Sequence, residues 1–285
     1  HLPLHAAEHF YLVTEPLQSF GTMRPTLRVP DEQVYYKYDA GKLLLGCFEL
    51  EAKPWGMGGI PEDFCFDALP NDFAHFEPIL DTAIQRFPEL ADAGINLFFN
   101  GPESFTPDNQ FIMGEPAGID GLFVLAGFNS VGIASAGGAG KYAAEWLEQG
   151  SPTLDLWSVD IRRFASFQND RSYLRERVTE TLGLHYQMAW PNREMETARG
   201  IRQTPLSAQL RERNACFGSS MGWERANWFA PPGIEPIVEY SFKKQNWALC
   251  VAEEVRGCRE NVAILDQSTF AKFTFHGADV KAVLQ

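Results

Sequence analysis

Gly121-Leu-Phe-Val-Leu-Ala-Gly-Phe-Asn-Ser-Val-Gly-Ile-Ala-Ser-Ala-Gly-Gly-Ala-Gly-Lys-Tyr-Ala-Ala-Glu-Trp-Leu-Glu-Gln-Gly150 decides how this chain is read. Leu122 to Ala126 is an apolar run of strand length, and Gly127 to Gly140 reads as a glycine-rich turn. Lys141 to Glu148 holds helix formers closed by Gly150 and Pro152. The N–H groups at a helix start have no partners within the helix, and the macrodipole is positive there. An anionic or carbonyl-bearing ligand can therefore sit on such a start if small residues allow close approach. Gly138-Ala-Gly140-Lys-Tyr-Ala143 has the letters of a dinucleotide fingerprint, with Asp160 at a suitable distance for a ribose. That motif requires its first glycine directly after the strand, however, and here the strand ends near Gly127. A phosphate-binding loop is excluded because Ser135 replaces the opening glycine and Tyr142 the metal-binding hydroxyl residue. A packing turn without ligand stands beside the cofactor loop as an alternative.

At 285 residues the chain has room for more than one domain, and its 45% apolar content suits a globular fold with a sizeable core. No run reaches transmembrane length, so no membrane partner is expected, and the N-terminus lacks the pattern of a signal peptide. Residues 1–150 hold 7 Lys and Arg against 21 Asp and Glu, and residues 151–285 hold 17 against 16, giving −14 and +1. The sign argues against nucleic acid as a partner of the first half, and the step near residue 150 suggests a domain boundary. Cys47, Cys65, Cys216, Cys250 and Cys258 form neither a CxxC pair nor a compact framework, which fits packed thiols in a reducing compartment.

Outward from the opening stretch, the first half reads as strands with one long helix. His5-Ala-Ala-Glu-His9 lacks the glutamate of a zinc-binding helix, so no metal is expected, and His9 leads a strand over Phe10 to Thr14. Val34 to Tyr38 and Leu43 to Leu50 read as a hairpin about Asp39-Ala-Gly-Lys42. Tyr35 and Lys37 share one face, Tyr36 and Tyr38 the other. Residues 51–72 are a long loop. Phe73, Phe76, Leu80, Ile84 and Phe87 mark a core helix capped by Asn71 or Asp72, whose first turn Pro78 can push later. Ile95 to Phe99 is a strand, and the turn formers from Asn100 to Gln110 predict a loop. Together these give mixed α/β and α+β character, with the beginning of the domain absent.

Beyond Pro152 come Asp160-Ile-Arg-Arg-Phe164, a charged helix around Asp170 to Glu180, and a short helix from Leu206 to Arg213. Trp247, Val251, Val255 and Cys258 mark a further helix. Val262 to Leu265 predicts a buried strand and Lys272 to Phe275 another, before a final helix start. A domain ending there has not closed its core, so truncation is expected at this end too.

Laid out in order, five motifs resemble the family of FAD-dependent amine dehydrogenases that includes dimethylglycine and sarcosine dehydrogenases. They are Asn100-Gly-Pro-Glu-Ser-Phe-Thr-Pro-Asp108; Gly127-Phe-Asn-Ser-Val-Gly132 with Gly137-Gly-Ala-Gly-Lys-Tyr142; Asp160 to Phe164; Gly222-Trp-Glu-Arg225 with Asn227-Trp-Phe229; and Leu265-Asp-Gln-Ser-Thr-Phe-Ala-Lys-Phe273. The resemblance implies the C-terminal half of a D-amino-acid-oxidase-like FAD domain over 1–155. It further implies a small central domain over 156–207 and the start of an aminomethyltransferase-like, tetrahydrofolate-binding domain over 208–285. It puts Gly127, Phe128, Asn129, Ser130, Val131, Gly132 and Ile133 along the flavin, acting mainly through their backbone N–H groups. It makes His9 and Tyr35 the catalytic pair, a histidine of near-neutral pKa managing the amine's protonation and a phenol holding it.

The implied reaction is oxidation of an N-methylated amino acid, of dimethylglycine or sarcosine type, by FAD, with an electron-transfer flavoprotein or oxygen as electron acceptor and tetrahydrofolate taking the one-carbon unit. The implied location is bacterial cytoplasm or mitochondrial matrix. The family's ADP-binding glycine motif is absent from this sequence, so the chain alone is expected to hold FAD poorly. Leu2-Pro-Leu-His5 with Glu8 to Thr14, and Val124-Leu-Ala-Gly127 with Gly138-Ala-Gly-Lys-Tyr142, also resemble the regulatory subunit of pyruvate dehydrogenase phosphatase, which implies a non-catalytic alternative.

Overall fold

His5-Ala-Ala-Glu-His-Phe-Tyr-Leu-Val-Thr14 forms β1, the strand on which the sheet is assembled in this computed structural model, which describes residues 1–20 and 23–285. The chain divides into two compact units, His1–Ala189 and Trp190–Gln285. In the first, β2 (Leu27–Val29), β3 (Val34–Asp39), β4 (Lys42–Cys47) and the two-residue β5 (Pro54–Trp55) follow β1. After helix α1 (Phe73–Arg86) comes β6 (Ile95–Phe105). All pairings are antiparallel: β2 to β3, β3 to β4, and β4 and β5 along one edge of β1, with β6 along the other. The β3–β4 turn places Ala40 and Gly41 at φ of 48° and 87°, the left-handed pair that a two-residue hairpin matching the sheet's twist requires.

The period of two splits the sheet into unlike faces. Phe10, Leu12, Val34, Tyr36, Leu43, Leu45 and Cys47 face one way and pack with Phe76 and Ala83 of α1 in a buried core. The Asp72 side chain caps α1 by accepting from the His75 amide at 3.1 Å, and Pro78 lies inside the helix without delaying its start. Phe73, expected in the core, is 48% exposed. On the opposite face Ala7 and Phe105 pack with Phe48, Ala52 and with Val178 and Leu182 of a later helix.

Two expectations are corrected here. The expected loop at Asn100-Gly-Pro is the second half of β6, paired to β1 as far as Phe105 against His5. Pro102 is tolerated because β6 pairs with a strand on one side only, so its missing N–H interrupts no second ladder. The expected glycine-rich turn is mostly helix. After β7 (Ile112–Gly114) and β8 (Val124–Ala126), which pair with each other, α2 runs from Gly132 to Gln149 and includes Gly137, Gly138 and Gly140. Three interior glycines each cost a helix about 1 kcal/mol relative to alanine. Burial of Ala139, Ala143 and Trp146 against Met113 and Val159 offsets that.

Asp160 then caps a short 3-10 turn over Ile161–Arg163, and Asp170 caps α3 (Arg171–Leu184). Gly183 lets α3 lie directly on the Glu49 and Leu50 carbonyls, where a Cβ would collide with backbone. The second unit holds α4 (Ser207–Glu212), the hairpin β9 (Ala215–Ser220) and β10 (Trp223–Phe229), α5 (Ala248–Glu260) and α6 (Val280–Leu284). Its core gathers Cys216, Trp228 and Ala230. The two strands expected at 262–265 and 272–275 do not form. Val262 and Ile264 are 95% and 94% exposed, and an apolar run becomes a strand only where a neighbour supplies the ladder. No helix among the described residues is long and apolar enough to cross a membrane.

Glu49, just past β4, is buried at 5% exposure, and desolvation raises its pKa to about 7, with the Cys47 thiol 3.7 Å away. Between 4.5 and about 7 the unfolded chain releases this proton while the folded chain keeps it, so the group's stabilising effect fades as pH rises through that window. Glu49→Gln should therefore match the wild type near pH 4.5 and exceed it above pH 7 by up to about 3 kcal/mol, as measured by urea unfolding across pH.

Candidate functional site

His9, Tyr35 and the 127–133 segment arrive from three parts of the chain, and the register shows how they meet. Tyr35 and Tyr11 are both directly opposite Gly46, from either side of β4. Gly46 has no side chain, so the Tyr35 ring lies across it toward β1; a Cβ there would run into the ring. His9, two residues from Tyr11, projects from the same face and lies opposite Gly101 of β6. Its ring packs on Phe48 with centroids 4.5 Å apart, Phe48 stacks on Tyr186 at 4.1 Å, and Tyr186 meets Tyr35 at 5.5 Å. The two expected catalytic side chains thus border one aromatic wall. The Arg28 guanidinium lies 4.2 Å over the Tyr186 ring and donates to the His185 carbonyl at 3.1 Å.

The wall sets the titration of both groups. His9 does not have the near-neutral pKa that the family resemblance implies: burial, then repulsion from His185, lowers it to about 4. Its Nδ1 is sealed from solvent and has no hydrogen-bond partner among the described residues. At neutral pH the ring is therefore uncharged with an unsatisfied polar atom. Burial, with Tyr186, Cys47, Glu103 and Tyr11 nearby, raises Tyr35 to about 12, so its phenol keeps its proton.

The segment Gly127 to Ile133 is a turn and a helix start rather than seven equivalent ligands. Gly127, Asn129 and Ser130 take left-handed conformations, with φ of 67°, 48° and 65°. The Asn129 side chain is buried and structural. Its Oδ1 accepts from the Thr106 amide at 2.9 Å, and its Nδ2 donates to the Gly127 carbonyl at 2.7 Å and the Thr106 hydroxyl at 3.1 Å. Phe128 turns inward to stack on Phe111 at 4.9 Å. What faces outward is backbone: the start of α2 has no side-chain cap and no acid in its first turn, and Ile133 is 99% exposed. Such a start can receive the electron-rich edge of a flavin on its free N–H groups, so the residues present fit that cofactor.

Ser130 joins the two regions: its hydroxyl and its backbone both bond to the carboxylate of Glu103, which β6 projects on the face of His9. Glu103, Phe48, His185 and Tyr186 were not singled out from the sequence. Alternation along β6 could have placed Glu103 had the strand been read through Pro102; the other three meet His9 only through tertiary folding.

The family model described as FAD dependent oxidoreductase matches residues 1–146, half of the chain. The chain belongs to the FAD dependent oxidoreductase family. The central domain of the same family matches residues 149–204, and the GCVT N-terminal domain matches residues 206–285. The chain is 44% identical to 4-methylaminobutanoate oxidase (formaldehyde-forming) of Paenarthrobacter nicotinovorans, over 100% of this chain and 34% of that protein. Identity is 38% to the mitochondrial pyruvate dehydrogenase phosphatase regulatory subunit of Mus musculus, over 95% of this chain and 31% of that one. It is 32% to human mitochondrial sarcosine dehydrogenase, over 98% and 33%. The chain spans about a third of the length of these relatives. The family assignment, and the mixed α/β fold with an aminomethyltransferase-type segment last, agree with the sequence reading.

Because the buried Asn129 amide makes three hydrogen bonds that tie the turn before α2 to Thr106 and Gly127, Asn129→Ala should lower stability by about 2 kcal/mol in urea unfolding. Limited proteolysis should then cut first within residues 127–133, with cleavage elsewhere unchanged.

Proposed function

We propose that this chain forms the substrate- and flavin-facing part of an enzyme that oxidises the N–CH3 group of an N-methylated amino acid, of dimethylglycine or sarcosine type. Three modules divide the work: 1–155 for oxidation, 156–207 as connector, and 208–285 as the start of a segment that passes the one-carbon unit to tetrahydrofolate. The observation that carries the reading is the single face shared by His9 and Tyr35, bonded through Glu103 and Ser130 to an uncapped helix start. When bound, FAD would supply an acceptor for a hydride equivalent, held along Gly127, Phe128, Asn129, Ser130, Val131, Gly132 and Ile133. Electrons would then leave to an electron-transfer flavoprotein or oxygen, in a bacterial cytoplasm or a mitochondrial matrix.

The chain's own residues do the binding and orientation. Oxidation needs the amine's lone pair, so the bound ammonium must lose a proton. His9, neutral above about pH 4, offers its unsatisfied Nδ1 as acceptor to a substrate N–H. Tyr35, protonated up to about pH 12, fixes the amine by hydrogen bond. The aromatic wall of Phe48 and Tyr186 excludes water beside them. A second reading, a non-catalytic regulatory subunit, is favoured by the 38% identity to such a protein.

A protein of the relatives' full length that contains this chain should show a flavin spectrum that an N-methylglycine bleaches anaerobically. His9→Ala should slow the bleaching at least about a hundredfold while flavin retention changes much less. Absence of bleaching with every N-methylamine tried would favour the regulatory reading.

A further inference from the structure

A histidine that stays neutral cannot balance the positive charge of an arriving ammonium, and the face that carries His9 has one carboxylate placed to do so. Glu103 lies directly opposite Ala7, and His9 opposite Gly101, so Glu103 is the diagonal neighbour of His9 across the β1–β6 pair. Such diagonals are roughly 7–8 Å apart at the backbone, within reach of long side chains. Gly101 between them has no side chain, and the rim of the Phe99 ring fills that space from two residues away. Tyr35 leans in from β3 over Gly46, so Tyr35, His9 and Glu103 lie along one oblique line across the sheet. The Ser130 hydroxyl donates to one carboxylate oxygen, Oε2, and the Ser130 backbone adds a hydrogen bond to the same carboxylate. Neither Lys nor Arg pairs with Glu103 among the ion pairs of the described residues.

We propose that Glu103 is the anionic partner of the substrate's ammonium and that, with His9 Nδ1, it makes the site selective for secondary N-methylamines over tertiary ones. This rests on the amine-oxidising reading above and names its substrate class. A secondary ammonium has two N–H groups, one for the carboxylate and one for the imidazole nitrogen. A tertiary ammonium has one N–H, so it serves only one of the two acceptors and forgoes the second charge-assisted hydrogen bond that a secondary ammonium gains. Ser130 is a positioning residue: it aims the carboxylate and couples it to the turn before α2. Partial burial also raises the Glu103 pKa, which makes its carboxylate a better acceptor for the proton that the amine must shed.

The test uses the full-length flavoprotein reduced with dithionite, so that binding is read without turnover. It is titrated calorimetrically with an N-methylamino acid and with the N,N-dimethyl form of the same acid. The wild type should bind the secondary amine at least about tenfold more tightly. In Glu103→Gln, which keeps an oxygen for Ser130, that ratio should fall toward one, mainly through weaker binding of the secondary amine. Ser130→Ala should move it in the same direction by less. An unchanged ratio in Glu103→Gln, with flavin retention reduced, would overturn the assignment and leave Glu103 as a structural latch. A wild type that binds neither amine would instead sink the amine-oxidising reading, and this inference with it.

Discussion

Everything in the first unit depends on the register of β1 between its two neighbours. The strand is paired along its whole length to β6 on one edge and in succession to β5 and β4 on the other. A slip of one residue would carry Phe10 and Leu12 out of the core and turn His9 into it. The apolar contacts with α1 on one face therefore fix the polar and aromatic residues on the other. Packing and site chemistry are two readings of one alternation, completed by Phe48 and Tyr186, which lie just past β4 and α3 and supply the wall that His9 and Tyr35 share.

That wall governs charge. Phe48, Tyr186 and the covering helix α3 leave little water near His9, so its ring favours the neutral form, while the same desolvation drives Tyr35 and Glu49 toward their protonated forms. One cause thus shifts all three groups toward their uncharged forms. Against this neutral background a single partly buried carboxylate dominates the local field, because less solvent screens it.

The sequence made the hairpin of β3 and β4 legible, since alternating aromatic and aliphatic residues flank a glycine turn, and it made α1 legible through its apolar spacing. It misled where local composition opposed a tertiary outcome. Asn100-Gly-Pro carries every mark of a turn, yet a strand with one strand neighbour can absorb it. The glycines of α2 argue against helix residue by residue, and only the burial of Trp146 and its neighbours decides otherwise. Val262 to Leu265 failed in the opposite sense: its composition suits a strand, but no ladder forms there. The candidate site was legible as separate residues and illegible as an arrangement. Phe48, Tyr186 and Glu103 reach His9 across gaps in sequence that no periodicity spans.

The turn before α2 does not own its rigidity. Arg163 is buried and makes a two-point pair with Asp108, at 2.7 and 3.0 Å, and it also donates to the Gln110 carbonyl at 2.7 Å. The same carbonyl accepts from the Thr106 hydroxyl, and the Thr106 amide donates to Asn129. A guanidinium that follows α2 in the chain thus braces, through a relay of backbone and side-chain bonds, the bend that precedes that helix. Anyone transplanting residues 121–133 into another scaffold would have to bring this distant clamp along, or the graft would reproduce the letters of the bend without its stiffness.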